Sequence, residues 1–300
     1  MSWLSRWFGS PPAAAPSGPR PSAPPGVTAP VPSNPSTAAL RPLLLPWLLD
    51  GGDAEERALS AAETRALAAI DAVLALPALP DELLPRAAAL IPQLLAMLRQ
   101  TDLPVQALAQ QVSKDVVLAA EVLRTARSPF YRARGTVSDL AEAITLVGES
   151  GVQSVIARVL LRPIFEPPPG TLGRRIAARL WEHAERMAGH ASEEARAAGL
   201  RAFDGYIAGL LHDAGWTVAA RAIDRAGVAL DGRPGVVFCA EIDRRAHTLF
   251  GRAGRGWAIT AAFQALCADA RSVPLDQSTD PLAAVLRRAQ VLAFEAPPQT

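Results

Sequence analysis

From Leu40 onward the chain consists of Leu-, Ala- and Arg-rich segments in which apolar residues recur at positions i, i+3, i+4 and i+7. This spacing places the apolar side chains on one face of an α-helix. Alternating runs of β-branched residues, which are typical of strands, are nearly absent. The pattern therefore predicts an all-α body. The predicted helices cover residues 61–76, 81–100, 105–112, 116–126, 139–147, 152–165, 172–198, 205–213, 217–226, 235–250, 257–270 and 281–294.

The first forty residues have a different composition. Ten of the thirty positions from Ser10 to Ala39 are proline, and most of the others are Ala, Ser, Gly or Thr. Proline interrupts both helices and sheet ladders, and so little apolar surface does not support a core. We predict a disordered Pro/Ala/Ser-rich tail over residues 1–40.

A short amphipathic hook begins this tail. Trp3, Leu4, Trp7 and Phe8 fall within one arc of a helical wheel. Because isolated helices shorter than about 12 residues are marginal in water, the hook is expected to fold only against a partner protein, a membrane surface or the body of the protein itself. A terminus without a role is the alternative.

The Glu166-Pro-Pro-Pro-Gly170 break predicts a division of the body into two helical lobes, over residues 41–165 and 171–296.

Charge and cysteine content exclude several classes of function. The thirty basic and twenty-nine acidic side chains leave a formal charge of +1, so the chain lacks the general positive field that non-specific nucleic-acid binding requires. We expect no direct nucleic-acid binding.

The two cysteines, Cys239 and Cys267, do not indicate a disulfide framework or a thiolate zinc site. No stretch approaches the roughly 18 uninterrupted apolar residues of a membrane span. A cytoplasmic location is the expectation.

Three residues form the clearest chemical motif. His183 follows Ile176 and Leu180 at helical spacing, which predicts that it lies on a buried face. A buried histidine is either a core imidazole bonded to a neighbour or a group that binds a ligand or transfers a proton. His212 and Asp213 are adjacent at the end of a predicted short helix, before a glycine able to end it. Imidazole nitrogens and a carboxylate oxygen are ligands for divalent metals.

These residues and several others resemble the HDOD domain, the signalling-associated relative of the HD phosphohydrolases. Leu180-Trp-Glu-His183 and the His212-Asp213 pair are similar to the family's second lobe. The family's N-terminal motifs are resembled by Leu76-Pro-Ala-Leu-Pro80, Val112-Ser-Lys-Asp-Val-Val-Leu-Ala-Ala-Glu-Val-Leu-Arg124, Ser128-Pro-Phe-Tyr131 and Ala143-Ile-Thr-Leu-Val-Gly148. The resemblance covers about residues 70–295, so the two lobes together would form one HDOD domain.

Departures from the family pattern define the expected site. Trp216 stands where the branch that degrades cyclic dinucleotides carries a lysine, and Gln290 stands where a carboxylate is expected. A neutral amide does not supply the charge that holds a hard divalent ion. The resemblance implies a degenerate pocket without catalytic residues, formed by His183, His212, Asp213, Glu241, His247 and Gln290. No cofactor is expected. A divalent metal, if one binds, would be held by His183, His212 and Asp213.

A local basic cluster is the last feature. Asp243-Arg-Arg-Ala-His247 and Arg252-Ala-Gly-Arg255 place several arginines close together near the expected pocket. Such a cluster is either a solvated helix surface or a contact for a phosphate or an acidic partner.

The resemblance implies a non-catalytic regulatory module of bacterial signal transduction. It would sense or scaffold through protein–protein contacts and through the degenerate pocket. Its partners would be other signalling proteins, with a small anionic ligand and peripheral membrane contact by the hook as further options. The alternative is a metal-dependent phosphohydrolase acting on a nucleotide or another phosphoester, with ligands supplied by residues such as Glu241.

Overall fold

The computed structural model of the protein describes residues 43–49, 52–84, 87–98, 101, 103–128, 131, 137–166, 170 and 172–295. All of these residues belong to one compact unit, Pro42–Thr300. The predicted tail, with Trp3, Leu4, Trp7 and Phe8 of the hook, lies outside the described residues.

The described residues form α-helices and short 3₁₀ turns, and within them the only β-pairing is an isolated bridge between Glu55 and Gly235. The predicted all-α class is confirmed. The helices are α1 (Leu44–Leu48), α2 (Ala61–Leu74), α3 (Ala87–Leu98), α4 (Val105–Val112), α5 (Val116–Ala126), α6 (Leu140–Leu161), α7 (Leu172–Ala197), α8 (Ala202–His212), α9 (Ala214–Arg225), α10 (Val236–Ala253), α11 (Ala261–Asp269) and α12 (Pro281–Glu295). The 3₁₀ turns are Asp81–Leu83, Arg162–Phe165 and Gly254–Gly256.

The predicted helix over 81–100 is wrong at its start. Asp81–Leu83 forms only a 3₁₀ turn, and Leu84 has φ −140° and ψ 61°, outside the helical region. Residue 85 is proline, which disfavours a helical conformation in the residue before it. A separate α-helix therefore begins at Ala87.

Side-chain caps explain where several helices begin. Asp115 accepts hydrogen bonds from the backbone N–H groups of Val117 and Leu118 at the start of α5. Ser60 and Glu63 form a reciprocal capping box at the start of α2. Glu63 is 3% exposed and also accepts hydrogen bonds from the Arg57 guanidinium, at 2.6 and 2.9 Å, and from the Gly235 N–H, at 2.8 Å. This one carboxylate therefore joins α2 to the segment that precedes it and to the start of α10.

Three glycines allow neighbouring helices to pack with their backbones close together. A Cβ atom at Gly205 would stand 2.2 Å from the carbonyl oxygen of Ala191, and one at Gly209 would stand 2.5 Å from that of Met187. Both contacts join α8 to α7. Gly215 brings α9 against α10 in the same way, because a Cβ there would stand 1.9 Å from the Ala246 carbonyl oxygen. These contacts bring α7 close to α8, and α9 close to α10.

The segment Leu140–Phe165 is long and apolar enough to cross a membrane by length and composition alone. In this fold the helix within it, α6, packs against α3, α4, α5 and α8. Gly148, with φ +74°, interrupts it with a kink. The segment is thus explained as a core helix of the domain.

Candidate functional site

His183 and Asp213 form a buried pair between α7 and the junction of α8 and α9. His183 lies on the face of α7 that also carries the buried residues Ile176 and Leu180, as the apolar stripe predicts. Its Nδ1 lies 2.6 Å from Oδ2 of Asp213. The two residues are 1% and 0% exposed. A polar contact so short and so completely removed from water fixes both side chains.

Two further histidines extend this pair into a cluster. His212 Nδ1 lies 3.5 Å from Oδ1 of Asp213, and His212 Nε2 lies 3.2 Å from Nδ1 of His247. His212 and His247 are 5% and 4% exposed. The structure therefore brings four of the six predicted pocket residues together in the order His183, Asp213, His212, His247, which we call the HD cluster.

Electrostatics favour the ionised form of Asp213. Burial opposes ionisation of this carboxyl group, but the charge and hydrogen bond of His183, together with the neighbouring His212, outweigh burial and hold the pKa of Asp213 below its ordinary value. The carboxylate is thus the anionic centre of the HD cluster.

Aromatic rings surround the cluster. The ring centroid of His183 lies 5.9 Å from that of Trp47 in α1 and 5.2 Å from that of Phe294 in α12. Trp47 and Phe294 also meet edge to face, with centroids 6.2 Å apart. On the other side, Phe250 lies 5.3 Å from His212. These rings place apolar surface against the imidazoles.

The position of Trp47 is itself held by α7. Arg179 donates a hydrogen bond to the Trp47 carbonyl oxygen at 2.7 Å. The Arg186 guanidinium lies over the Trp47 ring, 5.9 Å from its centroid, within the range of a cation–π contact. α1 therefore covers the α7 side of the cluster.

The structure does not bring Glu241 into the cluster. Glu241 lies on α10, six residues before His247, which places the two side chains on different faces of that helix. Its carboxylate pairs with Arg244 at 2.8 Å and with Arg245. It stabilises the surface of α10.

Gln290 and Trp216 are both buried, with exposures of 6% and 2%. Gln290 lies one helical turn before Phe294 on α12, so both residues share the face that contacts α7. Trp216, at the family's lysine position, is an apolar ring in the first turn of α9. Neither position supplies a charge.

The donor set does not fit the two-metal centre that phosphoester hydrolysis uses. Asp213 is the one carboxylate in the HD cluster, and its Oδ2 is bonded to His183. Hard divalent ions prefer several oxygen anions, and Gln290 offers a neutral amide. Across the described ranges, no group of three or more His, Cys, Asp or Glu side chains has the arrangement of a metal site.

Sequence reasoning missed the two aromatic residues at His183. Trp47 lies in the apolar run 43–49, where the sequence predicts no helix and the structure forms α1. Phe294 is four residues after Gln290, so helical spacing from that expected pocket residue could have indicated it.

Comparison with known families gives a match for the central part of the chain. Residues 84–231 match the sequence model of the HDOD domain. The chain contains an HDOD domain. The matched segment includes His183, His212 and Asp213 and ends before His247 and Gln290. His247 of the HD cluster therefore lies outside the segment that matches the HDOD domain.

Two solved structures resemble the chain at 20% sequence identity. One is an HDOD domain protein of unknown function from Geobacter sulfurreducens, which aligns over 80% of this chain and 82% of its own with a TM-score of 0.49. The other, from Shewanella amazonensis, is provisionally named a phosphohydrolase and aligns over 79% of this chain and 83% of its own with a TM-score of 0.48. No curated protein matches the sequence.

Proposed function

We propose that this HDOD protein is a non-catalytic regulatory module of bacterial signal transduction that works in the cytoplasm through contacts with other signalling proteins. The observation that carries the proposal is the buried pair of His183 and Asp213, joined at 2.6 Å. Oδ2 of the carboxylate that would bind a catalytic ion forms this internal contact, which supports a structural role for the cluster.

The surroundings of the pair support a structural role. Trp47 and Phe294 lie against His183, and these rings leave the pair 1% and 0% exposed. A phosphoester must place its phosphorus atom within reach of a metal-bound nucleophile. A cluster so fully enclosed offers no such approach.

The alternative, a metal-dependent phosphohydrolase, has buried polar atoms of the HD cluster in its favour. His183 Nε2 and Asp213 Oδ1 are buried and have no hydrogen-bond partner among the described residues. An imidazole nitrogen of this kind is a metal ligand in many proteins. One carboxylate nevertheless supplies little of the charge that a catalytic ion requires, so the regulatory module is the function that the site supports best.

A hydrolysis assay separates the two functions. The full chain is incubated with bis(4-nitrophenyl) phosphate and added Mn²⁺ or Mg²⁺, beside the Asp213→Asn variant and the Asp276→Asn control, which changes an exposed carboxylate. We expect the same background rate in all three proteins. Metal-dependent hydrolysis by the wild type and the control, lost in the folded Asp213→Asn variant, would establish the phosphohydrolase instead.

A further inference from the structure

A cavity of about 500 Å³ lies outside the HD cluster. It is open to solvent and is lined by the segment between α2 and α3 with the first residue of α3, by the end of α10 with the 3₁₀ turn Gly254–Gly256 and Trp257, and by Arg271 after α11. None of its lining residues belongs to the HD cluster. Its volume falls within the range of about 300–1,000 Å³ that small-molecule sites occupy.

Positive charge predominates in the lining. Arg252, Arg255 and Arg271 line the cavity, whereas Asp81 is its one carboxylate. Arg252 donates to the carbonyl oxygens of Leu74 and Leu76, and neither of these is an anion. The charge of Arg252 is therefore held in place but not neutralised.

The other two guanidiniums are available to a ligand. Arg255 and Arg271 are exposed, and neither pairs with a carboxylate in the part of the chain that the structure describes. Arg271 makes one long hydrogen bond, of 3.4 Å, to the carbonyl oxygen of Ala268, three residues earlier in the chain. Guanidinium groups bind phosphate and carboxylate oxygens in pairs of parallel hydrogen bonds.

Two glycines hold the charged residues together. A Cβ atom at Gly251 would stand 2.8 Å from the backbone nitrogen of Arg271, and one at Gly254 would stand 2.3 Å from Sγ of Cys267. The end of α10 can therefore rest directly on the end of α11. This contact places the backbone of Arg271 beside the end of α10, which is followed by Arg255 and carries Arg252.

The rest of the lining is apolar. Pro77, Pro80 and Leu84 line the cavity, as does Trp257, which is 8% exposed. A ligand held by the arginines would therefore place an uncharged, flat or hydrocarbon body against these residues.

We propose that this cavity binds a small phosphomonoester with an aromatic or apolar body. A phosphomonoester carries a charge of about −1.5 to −2 at pH 7, which suits a cavity with two unpaired guanidiniums. Of the lining residues, only Leu84 and Ala87 lie within the segment that matches the HDOD domain. The site therefore lies mostly outside the matched segment and stands independently of the function proposed for the HD cluster.

Calorimetric titration of the full chain tests the proposal, with AMP as the phosphomonoester and adenosine and inorganic phosphate as partial probes. The test variant is Arg255→Gln with Arg271→Gln. The matched control is Arg65→Gln with Arg174→Gln, which removes the same charge from exposed positions that form no ion pair among the described residues. Thermal melts check that all proteins are folded.

The proposal expects AMP to bind the wild type and the control alike, at least tenfold more weakly to the test variant, and more tightly than either partial probe. Equal weakening in both variants would mean that only overall charge matters, and would overturn the site. Absence of AMP binding at millimolar concentration would also overturn it. Binding of inorganic phosphate as tight as that of AMP would overturn the apolar part of the site.

Discussion

Nδ1 of His183, in α7, lies 2.6 Å from Oδ2 of Asp213, at the junction of α8 and α9, although the two residues are thirty positions apart. Replacement of the charged acceptor in a buried hydrogen bond leaves the donor poorly satisfied and costs about 1–3 kcal/mol. Asp213→Asn should therefore lower the free energy of unfolding by about 1–3 kcal/mol in urea denaturation. The exposed Asp276→Asn should change it by less than about 0.5 kcal/mol. Equal effects of the two substitutions would remove the structural role assigned to the pair.

The approach of α9 to α10 at Gly215 gives a second prediction. A side chain at Gly215 would collide with the Ala246 carbonyl oxygen, next to His247, so Gly215→Ala should destabilise the domain by about 1–3 kcal/mol. Gly189 in α7 has no heavy atom within 4 Å of the corresponding point. Gly189→Ala should stabilise the protein by about 0.5–1 kcal/mol through helix propensity. Thermal melts of both variants measure the contrast, and stabilisation by both would show that α9 and α10 do not pack as described.

Truncation at two positions tests the role of α1. Deletion of residues 1–41 removes none of the described core, so the melting temperature should stay unchanged. Deletion of residues 1–49 also removes the buried Leu44, Leu45 and Leu48, and uncovers the α7 side of the HD cluster by taking away Trp47. Each fully buried leucine contributes up to about 1.5–3 kcal/mol, so the longer deletion should lower stability by several kcal/mol. Equal melting temperatures for the two truncations would contradict the packing of α1.

Acid sensitivity should depend on Glu63. Burial opposes ionisation of this carboxyl group, but hydrogen bonds from Arg57, Gly235 and Ser60 outweigh it and lower its pKa from 4.5 to about 2. A depressed pKa stabilises the folded state above the unfolded value, and this stabilisation is lost as the pH falls from 4.5 towards 2. Glu63→Gln should lower stability at pH 7 and flatten the decline below pH 4.5. The exposed Glu56→Gln should keep the wild-type profile, and an unchanged slope in Glu63→Gln would refute the prediction.

The sequence predicts the helices well where local signals agree. The bounds of α4 and α5 match their predictions, since apolar periodicity and the capping residue Asp115 both act within a few residues of the chain. The burial of His183 also followed from local spacing. Local patterns of this kind explain why the fold class and the centre of the site could be predicted.

Contacts between distant segments could not be predicted in this way. Trp47 and Phe294 reach His183 from opposite ends of the described chain. The sequence predicts that Gly215 can end a helix, and this prediction is wrong: Gly215 lies within α9, which begins at Ala214, and permits contact with Ala246. Such roles depend on how helices pack, which a single sequence does not specify.

Metal content tests the proposed non-catalytic function most directly. Protein purified without a histidine tag is compared with the His212→Ala, Asp213→Ala double variant by elemental analysis, with melts to show that the variant is folded. We expect no near-stoichiometric divalent metal in either protein, because one carboxylate already bonded to His183 does not supply the charge that an ion requires. Near-stoichiometric metal in the wild type that is lost from the folded double variant would contradict the proposal.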